Sequence, residues 1–159
     1  MGASPIPEGH HTLTPSLVVH DGTAALEFYA KALGAEELYR LTTPDGRIGH
    51  AQLRIGDSIF MLADEWPEWG VVSPKTIGGD AVSTSLHVYV EDSDSLFERA
   101  VTAGAEVVQP MTDQFYGDRS GTIVDPYGHR WTIATHVEDV SPEEMDRRFK
   151  GFMRQMAEG

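Results

Sequence analysis

Hydrophobic residues follow two different periods in the first half of the chain, and each period predicts a different kind of element. Apolar side chains at helical spacing predict a helix over residues 24–33, which Gly34 ends. Alternation of apolar and polar side chains, interrupted by turn residues, predicts strands over residues 15–19, 38–41, 50–55 and 58–63. The predicted order is therefore βαβββ.

The same pattern returns in the second half at an almost constant distance. Residues 16–19 align with residues 87–90 at a shift of 71, and Gly34 aligns with Gly104 at a shift of 70. The second set of predicted elements comprises a helix at 95–103, strands at 84–90, 106–109, 122–125 and 130–135, and a loop over 110–121. A fixed period this long indicates a duplicated supersecondary unit. We therefore predict an α+β fold in which two βαβββ modules form a curved, cupped mixed sheet.

The remaining segments complete the predicted organisation of a single structural domain. It consists of a flexible arm (1–11), a first module (12–65), an inter-module loop (66–82), a second module (83–137) and a C-terminal amphipathic helix (138–159). Ser141 and Pro142 have the residue types of a helix cap and first helical position. The apolar stripe between Met145 and Met156 is typical of a helix that packs on a core or on a subunit partner.

Charge and composition exclude several classes of function. The chain has 12 Lys and Arg against 25 Asp and Glu, a net charge of −13, which disfavours nucleic acid and anionic membranes as partners. The acidity either keeps the protein soluble or attracts a cationic ligand. There is no cysteine, so disulfides and thiolate chemistry are excluded. Neither a secretory signal nor a bilayer-spanning stretch is recognisable, and we expect a cytoplasmic protein.

Alternation sorts the strand side chains onto two faces of the predicted sheet. The face covered by helices carries Leu17, Val19, Ala51, Leu53, Ile55, Leu86, Val88 and Val90. The opposite face carries Thr14, Ser16, Val18, His50, Gln52, Arg54, Ser85, His87 and Tyr89. Polar side chains on the concave face of a curved sheet predict a cavity, although the solvated face of an open sheet is an alternative. One continuous pocket is predicted to be lined by His50, Gln52, His87 and Tyr89.

Three short motifs accompany the duplicated unit. They are Ala-Leu-Glu-Phe-Tyr at residues 25–29, Gly-Asp-Arg at 117–119 and Asp-Pro-Tyr-Gly-His-Arg-Trp at 125–131. With them the chain resembles the vicinal oxygen chelate superfamily, which includes glyoxalase I, extradiol dioxygenases, fosfomycin-resistance enzymes and bleomycin-resistance proteins. Thr14-Pro15 and the segments 50–57 and 113–119 are more specifically similar to the PhnB-like branch.

The resemblance also implies where a metal would be bound. In metal-dependent members each module supplies one ligand from its first strand and one from its last. Those positions fall here on Thr14, Met61, Ser85 and Thr132. Hydroxyls and a thioether are poor ligands for the divalent ions concerned. The expectation is therefore a protein without metal or other cofactor, with a displaced site at His50, His87 and Asp125 as an alternative.

These observations favour a binding protein that sequesters a cationic, aromatic small molecule in a cavity of a homodimer. The predicted ligand contacts are Thr14, Ser16, His50, Gln52, Met61, Ser85, His87, Tyr89 and Thr132, with the loop aromatics Trp66, Phe115 and Tyr116. The alternatives are a lyase, isomerase or epimerase that uses His50 or His87 as acid or base, and a structural or regulatory partner protein.

Four further residues have predicted structural roles. Arg119 is expected to brace its loop by pairing with an acidic residue, and Asp125 to form turn hydrogen bonds. Trp131 is expected in the core and His129 at the surface.

Overall fold

A computed structural model describes residues 3–78 and 82–159. Met1 and Gly2 of the predicted arm, and residues 79–81 of the predicted inter-module loop, lie outside the described residues. The first module comprises β1 (Ser16–Val19), α1 (Gly22–Leu33), β2 (Glu36–Thr42), β3 (Ile48–Ile55) and β4 (Ser58–Asp64). A 3₁₀ turn (Pro67–Trp69) and α2 (Pro74–Ile77) follow it. The second module comprises β5 (Ser85–Tyr89), α3 (Ser93–Ala103), β6 (Glu106–Asp113), β7 (Asp118–Val124) and β8 (Arg130–His136), and α4 (Pro142–Glu158) ends the chain.

Each module forms one four-stranded mixed sheet. The strand orders are β1-β4-β3-β2 and β5-β8-β7-β6, so the two modules have the same topology. In each sheet the first and last strands of the module pair in parallel, and the other pairs are antiparallel. The predicted α+β fold with two βαβββ modules and a C-terminal helix is confirmed.

The repeat extends to the hydrogen bonds that cap the N-termini of α1 and α3, the helices of the two modules. Asp21 accepts a hydrogen bond from the backbone N–H of Ala24 at 3.0 Å, and Asp92 accepts one from Ser95 at 3.0 Å. Aspartate is a favoured N-cap because its carboxylate satisfies a backbone N–H that has no partner within the helix. Two turn aspartates of the sequence therefore act as helix caps.

The predicted loop over residues 110–121 is wrong, because most of it lies in strands. β6 continues to Asp113 and β7 begins at Asp118. Pairing between these strands is irregular on both sides of Gln109, and Pro110 lies in the second irregular interval. Proline has no N–H to donate to a partner strand, so it is tolerated at an edge strand or a bulge. β6 is an edge strand, which explains why a proline did not end it.

The two modules pack through the faces that carry their helices. Phe60 on β4 and Trp131 on β8 contact each other with ring centroids 5.9 Å apart. Tyr29 of α1 lies 5.8 Å from Phe60 and 5.6 Å from Trp131, and all three are buried in one continuous core. The predicted core position of Trp131 is confirmed. Because the helix-covered faces pack against each other, the opposite faces of the two sheets lie on the outer sides of this core. These opposite faces, which the sequence predicts to be concave, are called the concave faces below.

Hydrogen bonds also join the modules. Arg99 of α3 donates to the carbonyl oxygens of Lys31 at 2.6 Å and Ala30 at 3.0 Å, which have no partner at the end of α1. His129 is half-buried, and its Nε2 lies 2.8 Å from the carbonyl oxygen of Val18. The predicted surface position of His129 is therefore wrong: the tight turn that holds it packs against the first module.

The last helix makes few contacts with the rest of the chain. Ser141 caps it by accepting from the N–H of Glu144 at 3.3 Å. Arg148 fixes the helix by donating to Glu138 at 2.7 and 2.8 Å and to the carbonyl oxygen of Phe115 at 3.2 Å. The apolar stripe of α4 is largely exposed. No helix in the described part of the chain has the length and apolar character needed to cross a membrane.

Candidate functional site

The concave face of each sheet carries an equivalent row of side chains. Residues that pair across neighbouring strands point to the same face. In the first sheet the central row is Ser16, Met61, Gln52 and Tyr39. In the second sheet it is His87, Thr132, Thr122 and Gln109. Neither row has a charged side chain apart from His87 of the second row, and together the rows contain five of the twelve predicted ligand contacts.

Aromatic side chains stand beside the two histidines of these faces. His50 of β3 lies 5.7 Å from Tyr39 between ring centroids, and His87 of β5 lies 4.7 Å from Tyr89. Tyr89 is 62% exposed, and Leu41, which pairs with His50, is 60% exposed. Both concave faces therefore present uncovered aromatic and apolar surface.

The four positions at which relatives hold a metal do not fit a metal here. Thr132 shares a hydrogen bond with Thr122, their hydroxyl oxygens being 3.1 Å apart. Met61 supplies only a thioether, and Thr14 and Ser85 supply hydroxyls. Within residues 3–78 and 82–159 there is no group of three or more His, Cys, Asp or Glu side chains placed to hold an ion. The donor set at these four positions therefore does not suit the divalent ion that the family resemblance implies.

Asp125 is not available as the third ligand of a displaced metal site. Its carboxylate is 2% exposed and accepts hydrogen bonds from the hydroxyl of Tyr29 at 2.6 Å and the indole N–H of Trp131 at 2.9 Å. It also accepts hydrogen bonds from the backbone N–H groups of Tyr127 and His129, each at 2.9 Å. The predicted turn hydrogen bonds are present, and the residue additionally ties the turn to α1.

Two clefts of the chain contain different members of the predicted site. A cleft of about 420 Å³ between the β3–β4 turn and β5 contains His87 and Tyr89. A second cleft of about 420 Å³ beside β1 contains Ser16. His50 and Gln52 lie on the concave face of the other sheet. Neither of these two clefts contains His50 or Gln52, so neither brings together the four residues of the predicted pocket.

The loop after the first module carries a stack of aromatic rings. Trp66 and Trp69 lie 5.1 Å apart between ring centroids with an angle of 16° between their planes. The guanidinium carbon of Arg47 lies 3.7 Å from the ring centre of Trp66, a cation–π contact. Trp66 is thus covered by two neighbours, whereas Trp69 is 73% exposed. The ring of this stack that is free to meet a ligand is that of Trp69, the second tryptophan of the loop.

The loop before β7 carries the second aromatic cluster. Phe115 lies 5.2 Å from Tyr116, and it contacts Phe149 at 5.8 Å and Phe152 at 5.2 Å, all between ring centroids. Of the two predicted contacts, Phe115 therefore anchors α4. Tyr116 is half-buried beside Phe115.

A hydrogen-bonded chain behind Tyr89 could not be found from the sequence. The hydroxyl of Tyr89 donates to Oδ2 of Asp118 at 2.9 Å, and the other carboxylate oxygen lies 2.8 Å from Nδ1 of His136. Nε2 of His136 lies 2.9 Å from Asp139. Asp118 is the central residue of the Gly-Asp-Arg motif, which was the only sequence signal. In the same motif Arg119 donates to Asp94 at 2.6 and 2.7 Å and to Asp113 at 3.1 Å, so its predicted bracing role is confirmed.

The pairing of His136 predicts a pH-dependent contribution to stability. Hydrogen bonds to Asp118 and then to Asp139 raise the pKa of His136. The stabilisation is therefore complete below the unfolded pKa of about 6.5 and is lost as pH rises through the folded pKa. The melting temperature of His136→Gln should fall clearly below that of the wild type at pH 6 and approach it at pH 9. A gap that is constant or widens with pH would contradict the assignment.

Comparisons with known proteins agree with this architecture. The sequence pattern of the Glyoxalase/Bleomycin resistance protein/Dioxygenase superfamily matches residues 9–133. The uncharacterized protein Mb0911c of Mycobacterium bovis is 42% identical over 136 residues, covering 84% of this chain and 88% of that protein. TioX from Micromonospora sp. ML1 is structurally similar, with a TM-score of 0.62 and 29% identity over 80% of this chain and 99% of TioX. The fosfomycin resistance protein FosX from Mesorhizobium loti has a TM-score of 0.58 at 15% identity, over 84% of this chain and 95% of FosX, and shares the fold.

The chain belongs to the Glyoxalase/Bleomycin resistance protein/Dioxygenase superfamily. Members of this class carry different chemistries on one fold, so the activity must be argued from the residues of the concave faces.

Proposed function

We propose that this protein binds and sequesters a planar, cationic small molecule, as a PhnB-like member of its superfamily, in cups that two copies of the chain form together. The observation that carries the proposal is the composition of the concave faces. The central row of each face presents uncharged polar side chains beside exposed aromatic rings, while the charged Arg54 and Arg130 lie at the ends of their strands. None of the four positions where relatives hold a metal is a carboxylate. A few polar anchors in an apolar, aromatic surface are typical of a ligand site.

The arrangement of the sheets supports a homodimer. Each concave face is half of a cup, since the helix-covered faces of one chain are packed against each other. A two-fold dimer could place the first sheet of one copy opposite the second sheet of the other. By symmetry this arrangement would form two equivalent cups. Each cup would then combine His50 and Gln52 of one copy with His87 and Tyr89 of the other. The exposed apolar stripe of α4 adds surface that a second copy can bury.

An enzyme that uses His50 or His87 as acid or base is the second candidate. A histidine base is normally oriented by a hydrogen bond to its other ring nitrogen. Among the described residues, carboxylate partners of histidine occur only at His136. His50 and His87 instead contact tyrosine rings, an arrangement that suits ligand stacking better than proton transfer.

The binding proposal can be tested with three fluorescent tricyclic probes at pH 8. They are 9-aminoacridine, a cation with N–H groups; 10-methylacridinium, a cation without them; and acridine, which is neutral. We expect saturable binding of 9-aminoacridine, with about two probes per dimer, one for each cup. Failure of the wild type to bind any of the three would overturn the proposed function.

Composite cups predict a specific result for mixed dimers. Gln52→Arg alters the first sheet and Thr132→Arg the second, so each variant alone damages both cups and should lose binding at least about tenfold. A heterodimer of the two, purified through two different affinity tags, contains one doubly altered cup and one intact cup. It should bind about one 9-aminoacridine with wild-type affinity.

Two outcomes would contradict the composite cup. A heterodimer that binds no better than its parents would place each cup within one chain. A monomer in light scattering at micromolar concentration would exclude the dimer itself.

A further inference from the structure

Tyr89 is held in an unusual way on the concave face of the second sheet. It is the last residue of β5, and its ring lies beside that of His87. Its hydroxyl is bonded to Asp118, a carboxylate only 3% exposed at the start of β7. A largely exposed ring is thus anchored at its polar end by a buried charge.

The hydrogen bond fixes what the hydroxyl can offer to a ligand. A phenol has a single O–H group. Tyr89 donates this O–H to Asp118, because an ionised carboxylate only accepts hydrogen bonds. The oxygen of Tyr89 therefore keeps only its acceptor capacity toward the cup. The bond to Asp118 also raises the pKa of Tyr89, so the phenol stays protonated at neutral pH.

The second carboxylate oxygen of Asp118 strengthens this arrangement. It is bonded to His136, and His136 is bonded in turn to the exposed Asp139. Among the described residues, Asp118 is held in place by Tyr89 and His136 and has no lysine or arginine partner. The negative charge behind the phenol polarises the hydroxyl and makes its oxygen a better acceptor. The same charge favours a cation on the other side of the ring over an anion.

We propose that Tyr89 forms an acceptor-only subsite that binds an N–H group on the cationic part of the ligand, with Asp118 as its positioning residue. This subsite rests on the proposed function, because it requires a ligand in the cup. It narrows the ligand class to protonated amines, amidines or amino-substituted aromatic cations. Carboxylates and phosphates are excluded, since they would meet an acceptor backed by a negative charge.

The three acridine probes separate this subsite from binding in general. 9-Aminoacridine should bind the wild type about tenfold more tightly than 10-methylacridinium, because only the former donates hydrogen bonds from a charged group. Tyr89→Phe removes the acceptor oxygen and keeps the ring. It should abolish the preference for 9-aminoacridine and leave the affinity for acridine unchanged.

Tyr127→Phe is the matched control, because Tyr127 is buried in the core between the modules and its phenol oxygen lies outside the cup. It should retain the tenfold preference. Asp118→Asn, with folding verified by its melting temperature, should reduce the preference while Tyr89 is still present.

The outcomes distinguish the two proposals. No binding of any probe to the wild type overturns the proposed function and the subsite together. Equal binding of the two cations, or a preference that survives Tyr89→Phe, overturns the subsite and leaves the proposed function standing.

Discussion

Asp125→Ala should lower the free energy of unfolding by about 3–5 kcal/mol, the range observed when one partner of a buried charged network is removed. The carboxylate is buried and accepts four hydrogen bonds, two from side chains and two from backbone N–H groups. Alanine would leave all four donors without an acceptor, and each buried donor without a partner costs about 1–3 kcal/mol. Urea denaturation of the wild type and the variant, with comparable slopes, measures the difference.

Tyr29→Phe is the matched control for this prediction. It removes one of the four donors and keeps the carboxylate bonded to the other three. The expected loss is about 1 kcal/mol, the usual net value of one hydrogen bond. A stability of Asp125→Ala within about 1 kcal/mol of the wild type would show that water replaces the lost acceptor and that the network does not hold the modules together.

Local features of the fold could be predicted from the sequence because they depend on neighbouring residues. Residue types predict the cap at Asp21, and they place the second cap at residues 93–94, next to the Asp92 that the structure shows. Alternation assigned Leu53 and Ser16 to opposite faces of their sheet. The duplication then supplied the topology of the second module from the first.

The packing of one module on the other could not be predicted in this way. It depends on the hydroxyl of Tyr29 reaching Asp125 and on His129 reaching Val18, pairs separated by 96 and 111 residues. No period in the sequence relates such residues, and a turn aspartate looks the same whether it bonds only its own turn or also a distant helix. The predicted surface position of His129 was wrong for this reason.

The same distinction between local and long-range features applies to the candidate site. Alternation identified His50, Gln52, His87 and Tyr89 as residues of the concave faces, because side-chain direction in a strand is a local property. It could not show that the two faces lie on the outer sides of one core. It could not reveal the link from Tyr89 to Asp118 either, since that bond joins strands that are not neighbours in the sheet.

Gly117→Ala is expected to be the most damaging substitution in the Gly-Asp-Arg motif, with a loss of about 3 kcal/mol or more in unfolding free energy. The backbone of Gly117 has a φ of +96°, and a β-carbon there would overlap the carbonyl oxygen of Glu138. A backbone oxygen cannot avoid the overlap by changing rotamer, as a side chain can. The segment after β8 would have to move, although it is bonded to Gly117 through the N–H groups of Val137 at 2.9 Å and Glu138 at 3.0 Å.

Gly46→Ala is the control that measures the free-energy cost of a positive φ alone, without an overlap between the β-carbon and another atom. Gly46 has a φ of +90°, and a β-carbon there would meet no atom within 4 Å. This control should lose only about 1 kcal/mol, the cost of a positive φ for a residue with a side chain. Because the displaced segment directly follows His136, the last residue of β8, Gly117→Ala should also weaken the bond between His136 and Asp118, and with it the preference of the cup for 9-aminoacridine. Equal losses of stability in the two variants would mean that the contact with Glu138 relaxes freely and that this glycine serves only the turn.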